Sequence, residues 1–221
     1  RVILNQDNDI TRAFASKAKG SVTLFSRQEE PRGDSVFLRD GAIWRKSGDE
    51  EEKVLDRKEI LLPGDHNVEN YMAAIAAVEG LVDIETVRSF AKRFSGVEHR
   101  IELVRELNGV RYYNDSIASS PTRTIAGLKC FPEKVILIAG GYDKHIPFDA
   151  LGPVISEYVK LLILTGDTAA KIREAVEGAS GYQEGCPQIV ECETLSDAVV
   201  TAYKAAVSGD VVLLSPACAS F

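Results

Sequence analysis

Lys134-Val135-Ile136-Leu137-Ile138-Ala139-Gly140-Gly141-Tyr142-Asp143-Lys144 runs five uninterrupted apolar residues into two glycines and a charged turn. An apolar run without alternation suits a strand covered on both faces, and such strands belong to parallel sheets flanked by helices. The same grammar recurs at Leu161–Thr165, Ile189–Glu191 and Val211–Leu214. Helical stretches near Pro121–Cys130, Phe148–Tyr158, Thr168–Gly178 and Leu195–Val207 fall between the runs. Alternation of this kind predicts a doubly wound α/β domain. Just ahead of it, Ile101–Leu107 and Val110–Asn114 read as strands joined by Asn108-Gly109, a dipeptide that tolerates positive φ.

Before residue 100 the pattern differs. A short strand at Val2-Ile3-Leu4 and a helix over Asp9–Lys19 precede the apolar runs Val22–Phe25, Val36–Leu38 and Ala42–Trp44. Asp40-Gly41, between the last two, is a favoured hairpin turn. The acidic run Asp49–Glu52 reads as a solvated loop. After the Pro63-Gly64 break, a helix starts at Asp65 or His66 and runs Ala-rich to Gly80, and a second spans Ile84–Phe94. Ser95-Gly96 is the best interdomain breakpoint, dividing 1–95 from 96–221.

Composition narrows the function. The chain has 221 residues, a net charge of −7 and a pI near 5.1. A general nucleic-acid or anionic-membrane binder would carry the opposite charge balance. Cys130, Cys186, Cys192 and Cys218 lack CxxC spacing and three histidines complete no cluster, so neither a metal site nor a disulfide scaffold is expected, and the thiols should be free. No apolar run approaches the roughly 20 residues that cross a bilayer. A soluble, intracellular protein is expected, and the abrupt ends suggest a fragment.

In open parallel sheets ligands bind at the carboxyl ends of strands. Those ends are Asn114–Ser116, Ala139–Lys144, Thr165–Asp167 and Ser215–Ser220, each polar or glycine-rich after an apolar run. Gly140-Gly141 would let backbone approach a ligand, and Lys144 would set an ammonium beside a phosphate or carboxylate; a plain turn with a surface lysine is the alternative. Asp115 can accept from a ribose, or serve only as a cap. Asn67 and Asn70 share a helix face, and two amides suit adenine, although capping explains one of them. Arg100 can hold a nucleotide or form an interdomain salt bridge. Ser215 and Ser220 form a possible carboxylate-binding hydroxyl pair. Neither GxGxxG nor GxxxxGK[ST] occurs.

Taken together, GDHNVEN at 64–70, FSGVEHR at 94–100, NDSIASSPTRT at 114–124, GGYDK at 140–144 and LLSPACASF at 213–221 resemble, in order and spacing, the Mur ligases, and within them the branch that adds D-glutamate. ILNQDND at 3–9 resembles the strand closing that family's ATPase domain. The resemblance covers essentially the whole chain. It implies that 1–95 is the C-terminal part of a central α/β ATP-binding domain. Residues 96–221 would be a C-terminal Rossmann-like amino-acid-binding domain, truncated at its end. The UDP-binding domain, the P-loop, the magnesium-binding residues and the carbamylated lysine are expected ahead of Arg1, and the family phenylalanine of the D-glutamate pocket just beyond Phe221.

The resemblance further implies an ATP-dependent ligase joining D-glutamate to UDP-N-acetylmuramoyl-L-alanine through an acyl phosphate, in the bacterial cytoplasm, as a monomer without nucleic-acid or membrane partners. Its cofactors would be ATP and Mg2+, with no metal ligand in this chain. Residue by residue, it places Asn67, Asn70, Arg100 and Asp115 at ATP, and Ser119, Lys144, Ser220 and Phe221 at D-glutamate. Lys144 is the catalytic candidate, since an ammonium can hold the incoming γ-carboxylate. Ile117 stands where many of the family have a lysine. Phe94–Arg100 would be a hinge. The alternatives are a folylpolyglutamate synthetase-like glutamate ligase and a noncatalytic nucleotide- or metabolite-binding α/β module. This chain alone is expected to be inactive.

Overall fold

A computed structural model of the chain describes residues 1–219; Ser220 and Phe221 lie outside the described residues. The backbone divides into two compact units between Ser95 and Gly96.

The first unit is a five-stranded sheet in sequence order. Strands β1 (Val2–Asn5), β2 (Val22–Ser26) and β3 (Ser35–Arg39) pair in parallel, and β4 (Ala42–Ser47) and β5 (Glu50–Asp56) add antiparallel. Asp40 and Gly41, at φ 52° and 71°, make the tight turn between β3 and β4, the left-handed geometry this dipeptide suits. Helix α2 (Asp65–Val78) lays Val68, Tyr71, Met72, Ile75 and Ala76 against Phe25, Val36, Ile43, Val54 and Leu55 of the sheet. The spacing is that of one apolar helix stripe.

Three expectations change here. Helix α1 covers only Asp9–Ala13, followed by a 3-10 turn at Ala15–Lys17, because none of its residues is buried and no packing supports a longer helix. Helix α3 (Ile84–Ala91) ends before Phe94, whose ring stacks on Phe90 from the following turn. The acidic run is not a loop. Glu50–Glu52 begin β5, where Glu51 faces Lys46 at 3.3 Å and Arg39 at 3.0 Å and Glu52 pairs with Arg45. Cross-strand cations offset what would otherwise be like-charge repulsion.

In the second unit, β6 (Glu102–Leu107), β7 (Val110–Asn114), β8 (Val135–Ala139), β9 (Val159–Leu164), β10 (Gln188–Glu191) and β11 (Val211–Leu214) form one sheet in the order β10-β9-β8-β11-β7-β6. All neighbours are parallel except the edge pair β6 and β7, which turn at Asn108 and Gly109 with φ 53° and 76°. Helices α4 (Pro121–Leu128), α5 (Gly152–Tyr158) and α6 (Ala169–Glu177) bring Leu128, Ile155 and Ile172 onto the face carrying Leu137, Leu162 and Leu213. Helix α7 (Leu195–Ala205) covers Ile136, Ile138, Ile163 and Val212 on the other face with Ala198 and Ala202. Helix α5 starts later than Phe148 because Pro153 occupies its first turn, where a missing N–H costs nothing. Strand β11 returns between β7 and β8, so the last strand in sequence sits inside the sheet and its carboxyl end lies beside those of β7 and β8.

Candidate functional site

The glycine pair after β8 faces protein rather than an open ligand space. A Cβ on Gly140, at φ 107°, would lie 2.0 Å from the Thr165 carbonyl oxygen, and one on Gly141 would lie 2.5 Å from that of Ala219. Gly140 N donates to Pro216 O at 2.9 Å, and Gly141 N donates to Thr168 Oγ1 at 3.0 Å. Thr168 N donates back to Gly141 O at 3.2 Å. The glycines thus let the ends of β8, β9 and β11 touch backbone to backbone, correcting the expectation of ligand approach. What they position is the next segment. Tyr142 pairs with Ala219, Asp143 is held by Lys171 and accepts from His145 N at 2.8 Å, and Lys144 stands exposed beyond them. The Lys171 contact and the His145 amide hold the Asp143 carboxyl below its ordinary range. No carboxylate pairs with Lys144 among the described residues.

Asp115 follows β7 and is buried, 4% exposed. Its Oδ2 accepts from Ser215 Oγ at 2.8 Å and its Oδ1 from Ile101 N at 3.3 Å. Ser215 is fully buried and also meets Thr124 Oγ1 at 2.9 Å, so it is not available as half of a carboxylate-binding hydroxyl pair. Ser220, its supposed partner, and Phe221 lie outside the described residues. Ser119 is half-buried at the loop before α4, its amide donating to Ile117 O at 2.8 Å. Arg100 is exposed between His99 and Ile101, whose φ values are 65° and 45°.

Burial raises the Asp115 carboxyl above its ordinary value of 3.8, against the Ser215 and Ile101 hydrogen bonds and the charges of Arg100 and Arg123. A carboxyl raised on folding contributes stability that is present below 3.8 and is lost as pH rises through the folded value. Asp115→Asn removes that loss. From about pH 4 upward the variant's stability in urea should climb more steeply with pH than the parent's. Parallel curves would mean the carboxyl titrates normally.

In the first unit, Asn67 is buried near the start of α2 and Asn70 is exposed one turn on. Asn67 Nδ2 donates to Pro63 O at 2.7 Å, and Asn70 Nδ2 to Asn67 Oδ1 at 3.3 Å. Asn67 therefore serves the helix start, and Asn70 has its side-chain carbonyl and one N–H without a hydrogen-bond partner among the described residues. Asn67 and Asn70 lie together in this unit. Arg100, Asp115, Ser119 and Lys144 all lie in the second unit, at or near strand ends.

Residues 99–218 match the family model described as Mur ligase, glutamate ligase domain. The chain belongs to the Mur ligase family. Two curated Mur ligases named UDP-N-acetylmuramoylalanine–D-glutamate ligase are similar to it throughout. That of Acetivibrio thermocellus is 55% identical over the whole of this chain and 48% of its own length. That of Ruminiclostridium cellulolyticum is 47% identical over the whole of this chain and 48% of its own. The chain spans about half the length of these curated relatives. Among solved structures, MurF from Acinetobacter baumannii superposes with a TM-score of 0.67 at 16% identity, covering 98% of this chain and 49% of that one. Mycobacterium tuberculosis folylpolyglutamate synthase, complexed with ADP and AMPPCP, gives 0.62 at 17% identity, covering 95% and 50%. Both share the fold.

The residues that sequence reading missed in this Mur ligase chain are Thr168, Thr124 and Lys171. Each acts on a partner more than 25 positions away only in space: Thr168 on Gly141, Thr124 on Ser215, Lys171 on Asp143. Thr165-Gly166-Asp167 marks the end of β9 in the sequence, and the threonine one step further is the signal that points to Thr168.

Proposed function

We propose that this chain is the nucleotide- and amino-acid-handling part of an ATP-dependent ligase that joins D-glutamate to UDP-N-acetylmuramoyl-L-alanine in bacterial peptidoglycan synthesis. In that reaction an acceptor carboxylate oxygen bonds to the γ-phosphorus and ADP leaves. The D-glutamate amine then attacks the acyl carbon, phosphate departs and the nitrogen gives its proton to solvent. Asn67, Asn70, Arg100 and Asp115 take ATP in this reading. Asp115 has lone pairs left on both oxygens for a ribose hydroxyl. Ser119, Lys144, Ser220 and Phe221 take D-glutamate, with the Lys144 ammonium on the γ-carboxylate. Their share of the chemistry is positioning and charge compensation.

The observation that carries the reading is the exposed Lys144, with which no carboxylate pairs among the described residues, delivered to a strand's carboxyl end by a glycine clamp while the neighbouring Asp143 is taken by Lys171. Relatives with 43–55% identity bearing the D-glutamate name support this acceptor chemistry over a folate one, for which the likeness is one of fold. Mg2+ accompanies ATP in the implied chemistry. Among the described residues no group of three or more His, Cys, Asp or Glu is placed to hold a metal ion, so these donors do not fit that ion and no step is assigned to it here. No helix among the described residues is long and apolar enough to cross a membrane. The D-glutamate ligase reading carries with it a cytoplasmic location and a monomeric state.

Titrating the 221-residue chain with ATP, D-glutamate and L-glutamate by NMR tests the reading. ATP should perturb Arg100, and D-glutamate should perturb Lys144 and Ser119 with affinity about tenfold above its L-isomer. With no GxxxxGK[ST] loop in the chain, no turnover is expected with the full substrate set. Preference for L-glutamate, or perturbations that spare the residues assigned above to each ligand, would end the assignment.

A further inference from the structure

Two buried hydroxyls, Thr124 and Ser215, have no part in the chemistry above. Both are fully buried, and they form a chain that ends on a carboxylate. Ser215 Oγ gives its one proton to Asp115 Oδ2, so in the 2.9 Å contact between the hydroxyls Thr124 is the donor. The chain runs from helix α4 through the end of β11 to the end of β7, and it fixes the carboxylate's rotation. The other oxygen, Oδ1, is thereby turned to the amide of Ile101.

That amide belongs to an unusual piece of backbone. Ile101 has φ 45° and His99 has φ 65°, and a left-handed β-branched residue persists only where its surroundings hold it. The Asp115 loop holds both sides. Asp115 Oδ1 takes the Ile101 amide, and Ile117 N donates to His99 O at 3.2 Å. Arg100 lies between the two held residues, so the direction in which its side chain leaves the backbone depends on both.

We propose that Thr124 and Ser215 are positioning residues for Arg100: through Asp115 they pin Ile101 in its left-handed conformation and so aim the guanidinium at the nucleotide. The inference rests on the nucleotide role proposed above for Arg100. It explains why an aspartate that faces a soluble ligand should be almost wholly buried. It also explains the glycine at position 127 of α4, since a Cβ there would lie 3.0 Å from Asp115 Oδ2.

The test is done on the full 221-residue chain, reading hydrogen exchange at the Ile101 amide and the dissociation constant of ATP by NMR. Ser215→Ala should speed Ile101 exchange about tenfold and weaken ATP about tenfold, the loss expected for a hydrogen bond to a charged group. Thr124→Val should do the same to a smaller degree, and Thr124→Ser should restore the parent values. Arg100→Ala should weaken ATP while leaving Ile101 exchange unchanged. Gly127→Ala covers the case in which Ser215→Ala does not fold: it keeps both hydroxyls and improves helix propensity, yet crowds the carboxylate. It should speed Ile101 exchange without lowering the melting temperature.

Unchanged Ile101 exchange in Ser215→Ala and Gly127→Ala would overturn the pin. Faster exchange with unaltered ATP affinity, where Arg100→Ala does lose affinity, would overturn its link to Arg100. An ATP affinity indifferent to Arg100→Ala would overturn the nucleotide role itself, and Ile101 exchange that still answers to Ser215→Ala would identify that failure.

Discussion

Gly140→Ala should destabilise the second unit by about 2 to 5 kcal/mol, a large share of the roughly 5 to 15 kcal/mol that holds a domain folded. Two effects add. A side chain at φ 107° carries a backbone penalty of about 1 to 2 kcal/mol. The new Cβ would also lie 2.0 Å from Thr165 O and 3.1 Å from Thr165 C and N, all of them backbone. Thr165 cannot yield, because its own amide donates to Ala139 O at 3.0 Å, tying it to the residue before the glycine. Overpacking against immovable atoms adds about 1 to 3 kcal/mol. Gly181 separates the two effects: its φ is 102°, and nothing lies within 4 Å of its absent Cβ. Gly181→Ala should therefore cost only the backbone part. Urea unfolding followed at the amides of β8 and β9 compares them, and equal losses would show that the clamp has no steric content.

The second large effect is on ligand. Lys144→Ala should weaken D-glutamate about 100-fold while changing ATP affinity less than about threefold, since a charge-assisted contact with a partly desolvated carboxylate is the kind whose truncation costs most. Lys144→Arg should recover only part of the loss, because a planar fork does not occupy the place of a compact ammonium. Calorimetric titration of the chain with each ligand reads both numbers. Matching losses for ATP and D-glutamate would remove Lys144 from the amino-acid site and make it a general electrostatic contributor.

The fold was legible where structure depends on neighbours in sequence. Val135–Ala139, Leu161–Leu164 and Val211–Leu214 became the buried strands, Ile189–Glu191 became an edge strand with no buried residue, and Asp40-Gly41 and Asn108-Gly109 became the tight turns, because burial on both faces and positive φ each leave a local mark. Misreadings came where a distant partner decides. Glu50–Glu52 became a strand because Arg39, Arg45 and Lys46 lie across from it, and the helix after Asp9 stopped at Ala13, none of its residues being buried. The candidate site divides in the same way. Lys144 could be picked out as a cation after a strand and two glycines. That those glycines answer to Thr165 and Ala219, and that Asp115 is bound to a serine 100 positions away, is information that no local window contains.

Strand β11 is the last of the sheet in sequence but lies in its middle, bonded to β7 on one side and β8 on the other. During synthesis at about 5 to 20 residues per second, a nascent chain that has emitted Ala139 waits roughly 4 to 15 s for Leu214. For that interval β7 and β8 each present an unpaired inner edge, the kind of surface that recruits stray strands. A ribosome pausing between these two points would lengthen the exposure, and codon choice over 140–214 thereby becomes a determinant of yield.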